Sequence, residues 1–502
     1  MAGRELFLTQ DIGLFSCKAA LFSTDGTLVK TNAIRYSPES NHLGWAWQSH
    51  RLWWNAFCQN CRILLAGVDA KEVKGVCLCG QMMGCMPVDE SVQPLYEHIT
   101  WDDCRSAHEV CRIEKLLGNE TIHRITGVCL GQPFSLPKIL WLMEHHPDVY
   151  RGTYRFITCK DYVNYKLTGD LCTDETCAGF TQLYDLYGRC WSDRILDTFG
   201  IDRNKLPEVV RAGRILGTLT PEAAAQTGLC PGTPVVQGMG DGRAPAVGAG
   251  ILSPGEAYIN LGSCSWISQC TRSRNFDATH SITKAAYLEP DLYVNGGTTL
   301  AGRICIDWYL NAFSDSDAAG PNDLERFLKE HLSNSPVGSR GLLFMPYLRG
   351  DRAPWWSSSA GGGFIGLSAR HTRHDLCRSI LEGVAFQLLR IKNRIEALEP
   401  FGSIRLVGSA AFPVWQQILS DVLEAEIVSF DHPSLIGCVG SALICGVALG
   451  KFRDYSEAAR FQHNQVITLP IAQNVKIYRE LFPAFEDCYY ALADINRHLG
   501  QL

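Results

Sequence analysis

The chain has 502 residues, a formal net charge of −6, and 46% hydrophobic against 20% charged residues. That length exceeds what one hydrophobic core usually serves, so two large domains are expected. The small net charge gives no reason to expect nucleic acid or an anionic membrane surface as a partner.

The N-terminal MAGRELFLTQD passes from an acid straight into a short apolar run, without the basic and long apolar regions of a secretory signal. ELFLTQDIG reads as a strand ending in a glycine turn. CKAALFSTDGTLVKTNAI reads as a hairpin with Asp25-Gly26 as a two-residue turn. LWWNAFCQNCRILLAG reads as an apolar helix and VKGVCLCGQ as a buried strand. They carry Cys58, Cys61, Cys77 and Cys79, but the second pair lacks zinc-ribbon spacing and no His completes a set, so these read as packed thiols. With 21 cysteines and no export signal, reduced thiols in a cytoplasm are expected.

Mixed helices and short strands extend to about residue 230. LTPEAAAQTGL is a punctuated helix with Thr220 as N-cap, Pro221 at the first position and Gly228 as the stop. The run Pro234 to Val236 reads as a buried strand whose end delivers Gly240-Asp241. Asp241 stands alone among glycines and alanines, a poor place for a structural acid and a suitable one for a reactive acid. GILSPG, near 250 to 255, is the expected boundary, giving domains 1–250 and 251–502.

GEAYINLGSCSWISQC is again strand, glycine turn and strand, echoing LFLTQDIGLFSCKAALF and suggesting a duplicated two-lobed fold. HTRHDLCRSILEGVAFQLLRIKNRIEAL is a helix opened by a capping box of Thr372 and Asp375, with a core stripe at helical spacing. SIRLVGSAAFPVWQQILSDVL reads as strand, Gly408 turn and helix. LIGCVGSALICGVALG is too short to span a membrane and reads as a closely packed buried helix.

Glycine turns let backbone amides approach an anion, and hydroxyls at Ser16, Ser263 and Ser265 could add donors. A phosphate chain held between two lobes is a natural occupant. Phosphoryl transfer needs positioning, a metal and an acceptor for the attacking hydroxyl's proton. Asp11 in the first turn is placed for magnesium and Asp241 for the base.

These segments resemble the FGGY carbohydrate kinases, from about residue 5 to 450. GGFIGLSARHTRHDLCRSILE fits one family signature, and SLPKILWLMEH resembles the other, with Lys138 and Trp141 in place. Gly44, Trp45, Gln48, Trp53 and Trp54 fit G-W-x-x-Q…W-W. GQMMG resembles G-Q-M-H-G, and Trp101, Asp103 and Arg105 fit W-x-D-x-R.

The resemblance implies an α/β, duplicated actin-like (ribonuclease H-like) fold with an inter-lobe cleft, its N-terminal lobe for sugar and phosphate and its C-terminal lobe for nucleotide. It implies an ATP- and Mg2+-dependent kinase of a sugar hydroxyl, in the manner of xylulokinase-type members, acting on a ketopentose such as xylulose. Asp241 would be the catalytic base and Asp11 the carboxylate near Mg2+. Gly13, Ser16, Gly262 and Ser263 would hold phosphate, and Gly408 and Ser409 would lie against adenosine. Gln81, Met82, Met83 and Asp103, with Asp241, would line the sugar pocket. The expected partners are a small sugar and ATP, with no nucleic acid or membrane and with a homodimer left open.

Some positions depart from the pattern. Leu14 and Phe15 replace hydroxyl residues of the first turn. Val407 and Ser409 bring side chains to the adenosine turn, where close backbone approach is expected. Met83 stands for a His that could bond a sugar hydroxyl. Gluconate or a polyol is therefore kept as an alternative substrate, and a weakly catalytic sugar-binding regulator as an alternative class.

Overall fold

The computed structural model describes residues 4–42, 44–313 and 321–500. The chain packs as two compact units. The first comprises residues 1–252, 283–294 and 435–463, and the second 253–282, 295–434 and 464–502.

The sheet of the first unit is built from β1 (Leu6–Ile12), β2 (Ser16–Ser23), β3 (Leu28–Arg35), β4 (Val73–Gly80), β5 (Ile215–Thr218) and β6 (Pro234–Val236). Its order is β3-β2-β1-β4-β6-β5. β1 pairs antiparallel with β2 and parallel with β4, and β4 pairs parallel with β6. The central strands are buried on both faces, which is why they read as near-continuous apolar runs.

Alternate residues serve different helices. Leu6, Leu8, Val76 and Leu78 share a core with Trp53 and Phe57 of α1 (His50–Leu65). The chain then forms α2 (Ala107–Leu116), α3 (Ser135–His145) and α4 (Cys159–Thr168). α5 (Pro221–Thr227) is capped as expected: Thr220 accepts from the Ala223 amide at 3.2 Å and Gly228 adopts φ 80°. The first hairpin differs from expectation. Its turn spans Thr24 to Thr27, closed by the Gly26 amide to Ser23 at 2.9 Å. The Asp25 carboxylate accepts from the Thr27 amide at 2.9 Å, and this side-chain turn widens the loop beyond two residues. α6 (Ala244–Gly248) follows β6.

The second unit repeats this order. β7 (Ala257–Leu261), β8 (Ser265–Thr271), β9 (Tyr293–Thr299), β10 (Ile404–Val407), β11 (Ile427–Ser429) and β12 (Val466–Thr468) run β9-β8-β7-β10-β11-β12 within its sheet. β7 pairs antiparallel with β8 and parallel with β10, as β1 does with β2 and β4. α7 (Arg303–Phe313) follows, then α8 (Arg373–Glu396), whose capping box of Thr372 and Asp375 is formed. Val384, Leu388 and Ile391 of α8 and Trp415 of α9 (Pro413–Leu423) share the core with Ile259 and Leu261.

α10 (Ile436–Ala448) belongs to the first unit and packs on β1 and β4, on the face opposite α1. Its glycines permit the approach. A Cβ on Gly440 would lie 2.0 Å from the Ala244 carbonyl oxygen of α6, and one on Gly437 would lie 3.2 Å from Asp11 Oδ2. Among the described residues no helix is long and apolar enough to cross a membrane.

Overpacking a close helix contact costs about 1–3 kcal/mol. Gly440→Ala should therefore lower the urea midpoint of the protein. An unchanged midpoint would show that α6 and α10 can separate freely.

Candidate active site

Three parallel strands of the first unit end side by side. β1 delivers Asp11 and β4 delivers Gln81, whose amide donates to the Ile12 carbonyl at 2.8 Å. The segment after β6 continues alongside β4, where Gly240 bridges Gly80 and the Asp241 amide donates to the Gly80 carbonyl at 2.9 Å. The glycines around Asp241 make this line-up fit. A Cβ on Gly238 would lie 2.0 Å from the Leu78 carbonyl oxygen, and one on Gly240 2.1 Å from Met82 Sδ. The strand ends thus bring Asp11, Gln81, Met82 and Asp241 together.

Burial pushes the Asp241 carboxyl up to about 7, and the charge of Asp11 adds to the rise. The Gly242 amide, Lys18 and Arg243 pull the other way. Asp11 Oδ1 is buried and accepts no hydrogen bond. The thiols of Cys17, Cys79 and Cys438 surround Asp11. Burial raises each, and the Asp11 charge raises them further, so they stay protonated. A hard oxygen with an unused acceptor among neutral thiols suits Mg2+ rather than a thiolate-bound metal.

The Gly13–Ser16 turn joins β1 and β2. The Gly13 amide donates to the Ser16 carbonyl at 2.9 Å, and Tyr36 Oη donates to the Gly13 carbonyl at 2.9 Å. Leu14 is buried there and Phe15 is exposed. Gln48 Nε2 donates to the Leu14 carbonyl at 2.7 Å, and Gln81 Nε2 donates to Gln48 Oε1 at 2.6 Å. Gln81 Oε1 is left buried without a partner, so it can accept from a bound hydroxyl. Met83 holds φ 67° directly beside this strand end.

Asp103 is placed differently. It is fully buried and accepts from the Ala46 amide, the Arg105 amide at 2.9 Å and Arg105 Nη2 at 2.8 Å. Arg105 in turn stacks over Trp45 at 4.4 Å and Trp141 at 5.0 Å. A carboxylate has about four acceptor positions, and these donors, with Arg105 Nε at 2.9 Å, occupy them.

In the second unit the Gly262–Cys264 turn joins β7 and β8 as Gly13–Phe15 joins β1 and β2. The Arg303 amide at the start of α7 donates to the Gly262 carbonyl at 2.8 Å, and Ser263 is exposed. Gly408 sits against this turn at φ 108°. Its Cβ would lie 2.5 Å from the Leu261 carbonyl oxygen, so only glycine fits. Val407 is fully buried in β10 and does not intrude on the turn surface; Ser409 is exposed beside it. Gly262, Ser263, Gly408 and Ser409 therefore share one patch.

A family model described as the N-terminal domain of the FGGY family of carbohydrate kinases matches residues 6–248, and one for the C-terminal domain matches 257–449. The chain is 29% identical over 497 residues to a xylulose kinase of Bacillus subtilis, covering 97% of both. It is 28% identical over 509 residues to a gluconokinase of the same organism, covering 97% of this chain and 98% of that one. Among solved structures, a gluconate kinase from Lactobacillus acidophilus superposes with TM-score 0.90 at 24% identity, covering 98% of both chains. A ligand-bound xylulose kinase of that organism superposes with TM-score 0.90 at 24% identity, covering 97% of this chain and 98% of that one.

The family-like segment KDYVNYKLTGD carries part of the support beneath Asp241, a role the sequence alone did not assign. The Gly240 amide donates to Thr176 Oγ1 at 2.9 Å, and Asp174 caps the segment holding Thr176. Asp174 pairs with the fully buried Lys160 at 2.9 Å. Burial opposes the Lys160 charge, yet Asp174 and Asp161 hold the ammonium protonated well above the usual lysine range. Removing one partner of a buried pair leaves an uncompensated charge and costs about 3–5 kcal/mol. Lys160→Met should lower the urea midpoint accordingly, and adding Asp174→Leu should restore part of it. A wild-type midpoint in Lys160→Met would show that the pair does not support the loop.

Proposed function

The chain belongs to the FGGY family of carbohydrate kinases, and on that footing we propose that it transfers the terminal phosphoryl group of ATP to a hydroxyl of a ketopentose such as xylulose. The observation that carries this reading is the pair of acids, Asp11 and Asp241, at adjacent parallel strand ends. One of them has a raised proton affinity and the other an unused buried oxygen.

Asp241 accepts the proton of the attacking hydroxyl, and a carboxyl poised near the working pH suits that task. Asp11 would hold Mg2+ through its unpartnered oxygen, and there the ion would neutralise phosphate charge. The Gly13 and Gly262 amides close their own turns, and the Ser16 hydroxyl in the first unit, like the Ser263 hydroxyl in the second, offers phosphate a donor. Gly408 and Ser409 face adenosine. Gln81 accepts a sugar hydroxyl through Oε1, with Met82 and Met83 beside it. Asp103, its oxygens filled, orients Arg105 and the backbone at Ala46 and acts on the sugar pocket through them. Residues 1–250 thus serve chiefly sugar and phosphate and 251–502 nucleotide. Buried thiols such as Cys17, Cys61, Cys79 and Cys438 fit a reducing cytoplasm.

Similarity to gluconokinases and the Met83 position support a second reading, with gluconate as acceptor. An ADP-release screen with Mg-ATP over ketopentoses, polyols and aldonates separates the two. Turnover with xylulose is expected. Turnover with gluconate alone would move the substrate, and sugar binding without any turnover would return the regulatory reading.

Asp241→Ala should lower kcat by about 10²–10⁴-fold with sugar affinity largely kept, since general-base help is of that size. Near-normal ADP production would remove Asp241 from the role. The base must be ionised, so kcat/KM should rise with pH on the acid side. Its apparent pKa should lie above the ordinary carboxylate range and no higher than about 7, because a cation at Asp11 offsets part of the shift. A flat profile from about pH 5 to about 8 would contradict a titrating base.

A further inference from the structure

Apart from the acids of the strand ends, one carboxylate among the described residues of the first unit is buried with no hydrogen bond from another residue. Glu109 lies in the first turn of α2 and is fully buried, and neither of its carboxylate oxygens accepts a hydrogen bond from another residue; burial pushes the carboxyl up, while its own backbone amide, His145 and His108 pull it down. The sequence Ser106-Ala107-His108-Glu109 has the spacing of a capping box, in which a serine and a glutamate close the helix start. Here the box is not made: Ser106 has no cap bond, and its Oγ is also buried and unpartnered. An ionised carboxylate out of water needs a counter-charge or a metal.

Two further ligand-type side chains converge on it. His108 on α2 and Glu144 near the end of α3 are both exposed, and the ligand atoms of His108, Glu109 and Glu144 all lie within 4.8 Å of one another. We propose that these three residues bind a divalent cation of the zinc class, linking the start of α2 to the end of α3. One imidazole and two carboxylates match zinc with a fourth position left to water. The exposed His108 and Glu144 give the ion a route from solvent to the buried oxygen of Glu109.

The consequence is local. α2 begins two residues after Arg105, and α3 carries Trp141, over which Arg105 stacks. A bound cation would fix the helix that begins just after Arg105 to the helix whose Trp141 Arg105 stacks over. The site uses none of the groups placed in phosphoryl transfer.

The test uses the full-length chain, stripped by chelator and kept in excess Mg2+ so that hard-cation sites stay filled. Zn2+ is titrated calorimetrically and its effect on the melting temperature recorded, for wild type, His108→Ala, Glu144→Ala and the double variant. Both substituted residues are exposed, so the fold should hold. Wild type should bind a single further equivalent of Zn2+ relative to the double variant and melt higher with Zn2+. Changes around a metal ligand already cost about 10- to 100-fold in affinity, so loss of a ligand should weaken the site at least about tenfold. Equal stoichiometry and equal thermal shifts in wild type and double variant would overturn the proposal.

Discussion

Two like charges held close together at strand ends are the constraint around which the first unit is arranged. Parallel pairing of β1 with β4 and of β4 with β6 puts their C-terminal ends in line, so residues leaving those strands must share space. Asp11 and Asp241 occupy that space, and the pull of Lys18 and Arg243 does not offset burial and the Asp11 charge at Asp241. The repulsion is retained because the surroundings over-determine it. Glycines at 238, 240 and 440 allow backbone and helix to approach where a Cβ would collide, and Gly437 leaves close room beside Asp11. The buried Lys160–Asp174 pair and Thr176 anchor the Gly240 amide from below. A site that stores unfavourable proximity in this way is ready to receive a cation and a proton.

The second unit uses the same strand order without the acids. Where β1 ends in Asp11 and a turn at Gly13, β7 ends in Leu261 and a turn at Gly262-Ser263. Where β4 delivers Gln81, β10 delivers Gly408. One architecture therefore yields a half with two acids at its strand ends and a half with close backbone and an exposed hydroxyl there. The difference lies in a handful of side chains at equivalent strand ends, which is why topology alone would not have separated their roles.

Much of this was readable in the sequence because it is written locally. The Thr220–Pro221…Gly228 punctuation, the Thr372–Asp375 box and the paired strand–turn–strand segments depend on neighbours a few residues apart, and the structure has them. The family motifs likewise placed Asp11, Gln81 and Asp241 before their proximity could be known. What escaped depends on distant contacts. Nothing near residues 435–463 says that this segment packs with the first unit, some 400 residues earlier in the chain. Val407 reads as an intrusion on a glycine turn until its strand is paired and the side chain is seen in the core. Asp103 reads as a free ligand until Arg105 folds back on it. Lys160 opens the family-like segment KDYVNYKLTGD and Glu109 closes a capping-box spacing, but only burial shows what either side chain does.

The most direct test of the account is the titration of the Asp241 carboxyl itself, followed by carbon-13 NMR in metal-free protein and in Asp11→Asn. The account predicts a midpoint near 7 that falls when the neighbouring charge is removed. A midpoint at the ordinary aspartate value of about 3.9, unmoved by Asp11→Asn, would contradict it.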